Sequence, residues 1–233
     1  MLETIYAIPI NEEFSKHKEN SSLGCPFCSL RDRMEANEQK IILGAAMMDP
    51  EIRKKTNEKG FCREHFDKLA KAQNRLGLAL ILESHLADVK NGIEKFSLGD
   101  LFVGKGNNAL NRLEVLEREC YLCEKLDYHM SRIYENTVVM WQQDRDFREL
   151  FDLVGFFCLK DYGHLIGAAK NILDKKQYED FYTSVKKKEL EYFEIINQNV
   201  SEFCRSFDYR NDGENSDGVK YASEEALDFL KGR

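Results

Sequence analysis

Proline is scarce in this chain, at three residues in 233, and tryptophan scarcer still, at one. With so few breakers, the long segments rich in Leu, Lys, Glu and Ala read as helices rather than as short strands joined by turns. The fold class implied is all-α. No run approaches the roughly 20 apolar residues needed to span a bilayer, so no membrane segment is expected. The opening residues MLETIYAIPINEEFSKHK lack an apolar stretch behind a basic start, and they lack a small-residue cleavage site. No secretory signal is read there, and the expectation is a soluble, cytoplasmic protein. Positive charge is also in deficit: 34 Lys and Arg against 41 Asp and Glu leave a net charge of −7. Such a balance repels phosphate backbones, so nucleic acid is not an expected partner. Signatures of catalysis are missing as well. There is no HExxH and no nucleophile elbow, and Gly104-Lys105-Gly106 lacks the GxxxxGK[ST] frame of a phosphate-binding loop.

What is present is a hydrophobic fraction of 42%, enough for a sizeable core, and seven cysteines in spaced clusters. In a reducing compartment such clusters point to metal or redox chemistry rather than to structural disulfides. The clusters repeat. Cys25 and Cys28 recur 95 residues later as Cys120 and Cys123, while Cys62 and His65 recur 96 residues later as Cys158 and Asp161. The match extends beyond cysteine: Asp49-Pro50-Glu51-Ile52-Arg53 is echoed by Asp144-Arg145-Asp146-Phe147-Arg148, and Gly60-Phe61-Cys62 by Phe156-Phe157-Cys158. The chain therefore reads as two related halves, residues 1–98 and 115–208, with a Gly- and Asn-containing linker at 99–114 and a polar loop and short terminal helix at 209–233.

Each half is expected to form three helices. After Cys25-Pro26 comes a segment running to about Met47. Asp49-Pro50 then has the form of an N-cap followed by proline at the first helical position. Gly60 ends that short helix. From Cys62 one long helix is predicted, with Phe66, Leu69, Leu76, Leu80, Leu82 and Leu86 on a buried face. The second half repeats the plan through Ile133, Val138 and Trp141, then Phe147 and Phe151, then Leu165. A further helix from about 175 to 207 carries the stripe Tyr178, Phe181, Tyr182, Val185, Phe193, Ile196, Val200, Phe203 and Phe207.

Two cysteines separated by two residues can turn toward one ion, and a Cys with a His three residues on lie one helical turn apart on nearly the same face. The expectation is a bundle of two three-helix halves, each stapled by its own zinc, for two ions per chain. The first ligand set is Cys25, Cys28, Cys62 and His65, and the second is Cys120, Cys123, Cys158 and Asp161. His164 is the alternative fourth ligand of the second set. Imidazole is the commoner zinc ligand, but six residues past Cys158 a helix has risen about 9 Å and turned roughly 240°, which favours Asp161. His17, His85 and His129 read as structural or exposed, Cys204 as a small core residue, and Lys186-Lys187-Lys188 as a solvated helix face.

The runs TIYAIPINEEF, CPFC, TNEKGFCREHF, QNRLGLALILESHL, CYLC, FFCL and FDYRND together resemble an uncharacterised bacterial domain-of-unknown-function family, number 6062, over nearly the whole chain. The resemblance implies Cys25, Cys28, Cys62 and His65, then Cys120, Cys123 and Cys158, as ligands. The chain departs from the family's Cys-x-x-His at Asp161. The resemblance implies no activity. The leading functional expectation is a binding or regulatory module with structural zinc and a protein partner, since four protein ligands leave no open position for catalysis. A thiol or zinc redox sensor is the alternative, and a zinc enzyme the third reading. A homo-oligomer is compatible with all three.

Overall fold

The structure is a computed structural model describing residues 2–20, 23–94, 114–207 and 217–232. The described residues are helical, with no strand among them. Nearly all of the linker at 99–114, and residues 209–216 of the polar loop, lie outside them.

Helix α1 (Thr4–Glu19), outside the three helices expected of the first half, carries Pro9 inside it. Proline removes one rung of the ladder, the bond to the carbonyl of Ile5. Ile5 is exposed, while Tyr6, Ile10, Phe14 and His17 line a buried stripe that offsets the lost rung. Helix α2 (Pro26–Leu43) begins on proline, whose missing N–H would be unpaired at that position anyway. A 3₁₀ turn (Ala45–Met48) leads to α3 (Pro50–Lys59). Asp49 caps α3, its carboxylate accepting from Glu51 N at 2.8 Å and Ile52 N at 3.3 Å. Gly60, at φ +62°, ends it in a conformation that favours glycine.

The single long helix expected from Cys62 is instead two, α4 (Arg63–Lys71) and α5 (Arg75–Glu94). The cause is tertiary. Asn74 accepts from Gly77 N at 2.9 Å and donates to the Leu43 carbonyl at 2.6 Å, starting a new helix against the end of α2. A Cβ at Gly77 would lie 2.2 Å from that carbonyl, so only glycine allows the approach. The buried face of α5 is therefore Gly77 and Ile81, while Leu76 and Leu86, expected inside, are 68% and 65% exposed.

Helix α6 (Tyr121–Gln143) is followed by α7 (Arg145–Leu153), which Asp144 caps as Asp49 caps α3, accepting from Asp146 N at 2.9 Å and Phe147 N at 3.1 Å. Then come α8 (Leu159–Ile172), α9 (Lys175–Ser206), the single turn α10 (Asp217–Lys220) and α11 (Ala222–Lys231). Phe181, Val185 and Ile196 of the expected α9 stripe are buried, Phe193 and Phe207 are exposed, and Glu189 is buried among them. Lys188 is not a solvated cation: its ammonium donates to the carbonyls of Phe151 at 2.8 Å and Val154 at 3.2 Å, capping α7.

The compact units do not coincide with the sequence halves. One comprises Met1–Asp32 with Met130–Arg233, and the other Arg33–His129. Helices α2 and α6 each begin in one unit and end in the other. The core of the first unit is aromatic. Phe14 meets Phe27, Phe147 and Phe151 at ring-centroid distances of 5.7, 5.2 and 5.9 Å, and Phe181 joins Phe151 at 5.6 Å and Trp141 at 4.9 Å. Such pairs contribute about 0.5–1.5 kcal/mol each beyond the area they bury. The second unit is smaller and packs Ile42, Leu43, Phe61, Leu69 and Ile81 against Cys120, Tyr121 and Leu122.

Candidate metal centres

Each cysteine pair occupies the same place on its helix. Cys62 and Cys158 are the N-cap residues of α4 and α8, with His65 and Asp161 three positions on. Cys25 and Cys120 immediately precede α2 and α6, with Cys28 and Cys123 in the first turn. A helix start directs unpaired N–H groups and partial positive charge at its own thiols, favouring thiolates.

Two groups of four result, each within one unit, and in both all ligand atoms lie within 4.8 Å of one another. In the second unit His65 Nδ1 is 3.2 Å from Cys62 Sγ, 3.2 Å from Cys120 Sγ and 3.4 Å from Cys123 Sγ, and the sulfurs of Cys62 and Cys123 are 3.8 Å apart. In the first unit Asp161 Oδ2 is 3.3 Å from Cys25 Sγ, 3.4 Å from Cys28 Sγ and 3.0 Å from Cys158 Sγ, with Cys28 and Cys158 3.6 Å apart. Tetrahedral ligands around one zinc-sized ion stand about 3.8 Å apart for two sulfurs and about 3.6 Å for sulfur with nitrogen or oxygen. The sulfur pairs match, and the mixed pairs are a few tenths shorter. Either group could hold one metal ion.

The eight residues are those read from the sequence, but the pairing is exchanged. Cys25 and Cys28 meet Cys158 and Asp161, and Cys120 and Cys123 meet Cys62 and His65. The cause is helix length. Eighteen residues of α2 carry the chain about 27 Å from Cys25, and the ten of α3 can return only about 15 Å. The 23 residues of α6 and nine of α7 leave a larger shortfall, about 35 Å against about 14 Å. Because both halves share this plan, the exchange is reciprocal.

His164 is in neither group. It stacks on Tyr134, ring centroids 5.3 Å apart and planes 13° from parallel. Cys204, expected in a core, is exposed. His17 is buried, His85 lies 6.4 Å from the Phe66 ring, and His129 Nε2 lies 3.9 Å from Glu38.

Concentrated thiols resist ionisation without a cation. Burial, then its contacts with Cys158 and Cys28 and the Asp161 charge, raise the Cys25 thiol well above its usual range. Burial and the neighbouring Cys120 raise Cys123. A hydrogen bond with Cys25 pulls Cys158 down, but Cys28, burial and Asp161 outweigh it and leave the thiol raised. A divalent ion would reverse these shifts, releasing protons as it binds. Burial lowers the His65 imidazole against the opposing charge of Glu35, keeping it in the neutral form that binds metals.

A second layer of residues escaped the sequence reading. His65 Nε2 faces Glu35 Oε1 at 3.2 Å, which Lys68 also holds at 2.8 Å, fixing the tautomer that turns Nδ1 to the sulfurs. Tyr134 donates to Asp161 Oδ1 at 2.6 Å. Gly232, buried at φ +72° after α11, covers the first-unit group so closely that a Cβ there would lie 3.2 Å from Cys158 Sγ and 3.7 Å from Cys28 Sγ. In the sequence Gly232 looks like no more than a helix stop, and Glu35 and Tyr134 are ordinary helix residues.

Fold and site together define a helical protein with two four-ligand, cysteine-rich groups able to bind metal. The whole chain, residues 1–233, matches the model of a family of unknown function, DUF6062, and belongs to that family. No curated protein and no solved structure matches it. No helix among the described residues is long and apolar enough to cross a membrane.

Proposed function

We propose that this chain is a zinc-binding module of two structural ions whose role is to bind another protein, in regulation or assembly, rather than to catalyse. One observation carries the reading: each group offers four protein ligand atoms within 4.8 Å of one another, so an ion held by all four has no open position for substrate. Borderline-soft zinc suits sites dominated by thiolates, and cytoplasmic thiols stay reduced to hold it. Protein purified without chelator is expected to carry two zinc ions, measured by elemental analysis beside thiol titration under native conditions. A metal-free, folded chain with six readily titrated ligand thiols would overturn the reading.

A redox or metal sensor is the second reading, favoured by the exposure of one group. Cys62 and Cys123 are each partly exposed, whereas all four members of the first-unit group are buried. An oxidant such as peroxide would reach Cys62 and Cys123 first. Zinc release under peroxide that is reversed by thiol reductant would favour the sensor.

A further inference from the structure

We propose that Tyr134 makes Asp161 a one-oxygen ligand, reserving the first-unit group for ions that prefer four-coordinate, tetrahedral surroundings. The inference rests on the metal-binding reading and adds a residue that selects among metals. The two groups present different problems. The ring nitrogen His65 turns to the sulfurs is a single donor, so that group is four-coordinate as built. A carboxylate has two oxygens, and Asp161 is 2% exposed, so no bulk water competes for the second. Left unheld, both could bind a larger ion and make it five-coordinate.

The geometry divides the two oxygens. Oδ2 faces three sulfurs at 3.0–3.4 Å, and Oδ1 accepts from the Tyr134 hydroxyl at 2.6 Å. Tyr134 is itself held, its ring between Phe27 at 5.0 Å and His164 at 5.3 Å. The repeat supports the assignment independently. At the 95-residue offset Tyr134 corresponds to Gln39, which donates to Glu35 at 3.1 Å, the carboxylate behind His65. The same helix position thus supports the fourth ligand in both groups, with chemistry suited to imidazole in one and to carboxylate in the other.

The test is the visible spectrum of the full chain loaded with cobalt(II), whose d–d bands are several-fold more intense in tetrahedral than in five-coordinate sites. Tyr134→Phe should weaken those bands while keeping the thiolate-to-cobalt charge-transfer band, and should lower zinc affinity at one site about 10- to 100-fold. In an Asp161→Cys background, where the ligand has one donor atom, Tyr134→Phe should leave the spectrum unchanged. Unaltered d–d bands in Tyr134→Phe, or an equal fall in the Asp161→Cys background, overturn the proposal. A wild-type chain that binds no cobalt removes the metal reading and this proposal with it. Should Tyr134→Phe not fold, a crystal structure of the zinc-loaded wild-type chain decides. Oδ2 alone on the ion supports the inference, and both oxygens on it refute it.

Discussion

The exchanged pairing makes a prediction that ligand-by-ligand replacement cannot: which double substitutions remove one ion and which remove two. Cys28→Ser with Cys158→Ser disables one group, so the chain should keep one zinc. Cys28→Ser with Cys62→Ser disables both and should leave none, although these two cysteines belong to one sequence half. The stability cost follows from the loops the ions close. An ion in the first-unit group would join Cys28 to Cys158, 130 residues apart, and one in the second-unit group would join Cys62 to Cys123, 61 apart. Treated as cross-links, these are worth about 5 and about 4 kcal/mol of unfolded-chain entropy. Structural zinc sites bind with an apparent 10–16 kcal/mol at neutral pH, as large as the entire net stability of most domains. A unit without its ion should therefore melt separately. Zinc counted by elemental analysis, with helicity followed by circular dichroism on heating, gives the readout. Retention of one zinc by the Cys28–Cys62 double variant, with loss of both by Cys28–Cys158, would restore pairing within halves and refute the geometry.

Two further outcomes follow. Burial raises the Glu189 carboxyl to about 7, against the hydrogen bond from Phe157 N that favours its ionised form. Its folded pKa exceeds the unfolded value, so its stabilising contribution is full below about 4.5 and is lost as pH rises through about 7. Glu189→Gln should therefore gain on wild type between pH 5 and 8 by roughly 2 kcal/mol, after discounting for solvent screening, in denaturant titrations with zinc in excess. A difference that does not change with pH would refute this. Gly232→Val forces a side chain toward Cys158 and Cys28 from a backbone conformation that disfavours it, so it should loosen zinc at one site only. Competition with a chromogenic chelator should show one weakened and one unchanged ion, and two unchanged ions would contradict the contact.

Much of the local structure was legible because it depends on near neighbours. Asp49 caps the helix it is expected to cap, its repeat counterpart Asp144 does the same, and the ligand residue types follow from spacing alone. The pairing was legible in principle. Helix lengths of 18 and ten residues contain the shortfall, which the expectation of one zinc per half leaves out of account. Other features were not accessible to local reasoning. The break at Asn74 depends on the Leu43 carbonyl 31 residues away. The burial of α5 shifts by one position because Gly77, without a side chain, makes the closest contact. Helix α1 keeps Pro9 inside it because its buried stripe packs into a core brought together from distant segments.

The exchange of cysteine pairs also bears on how the chain is made. A ribosome releases Cys25, Cys28, Cys62 and His65 together, a complete ligand set in the wrong pairing. Cys120 and Cys123 follow only after more than fifty further residues, several seconds at 5–20 residues per second, and Cys158 later still. Zinc captured early by the nascent chain would hold the first half in a hairpin its own helices oppose once they form. Such an ion would have to leave that pairing before Cys25 and Cys28 could meet Cys158 and Asp161.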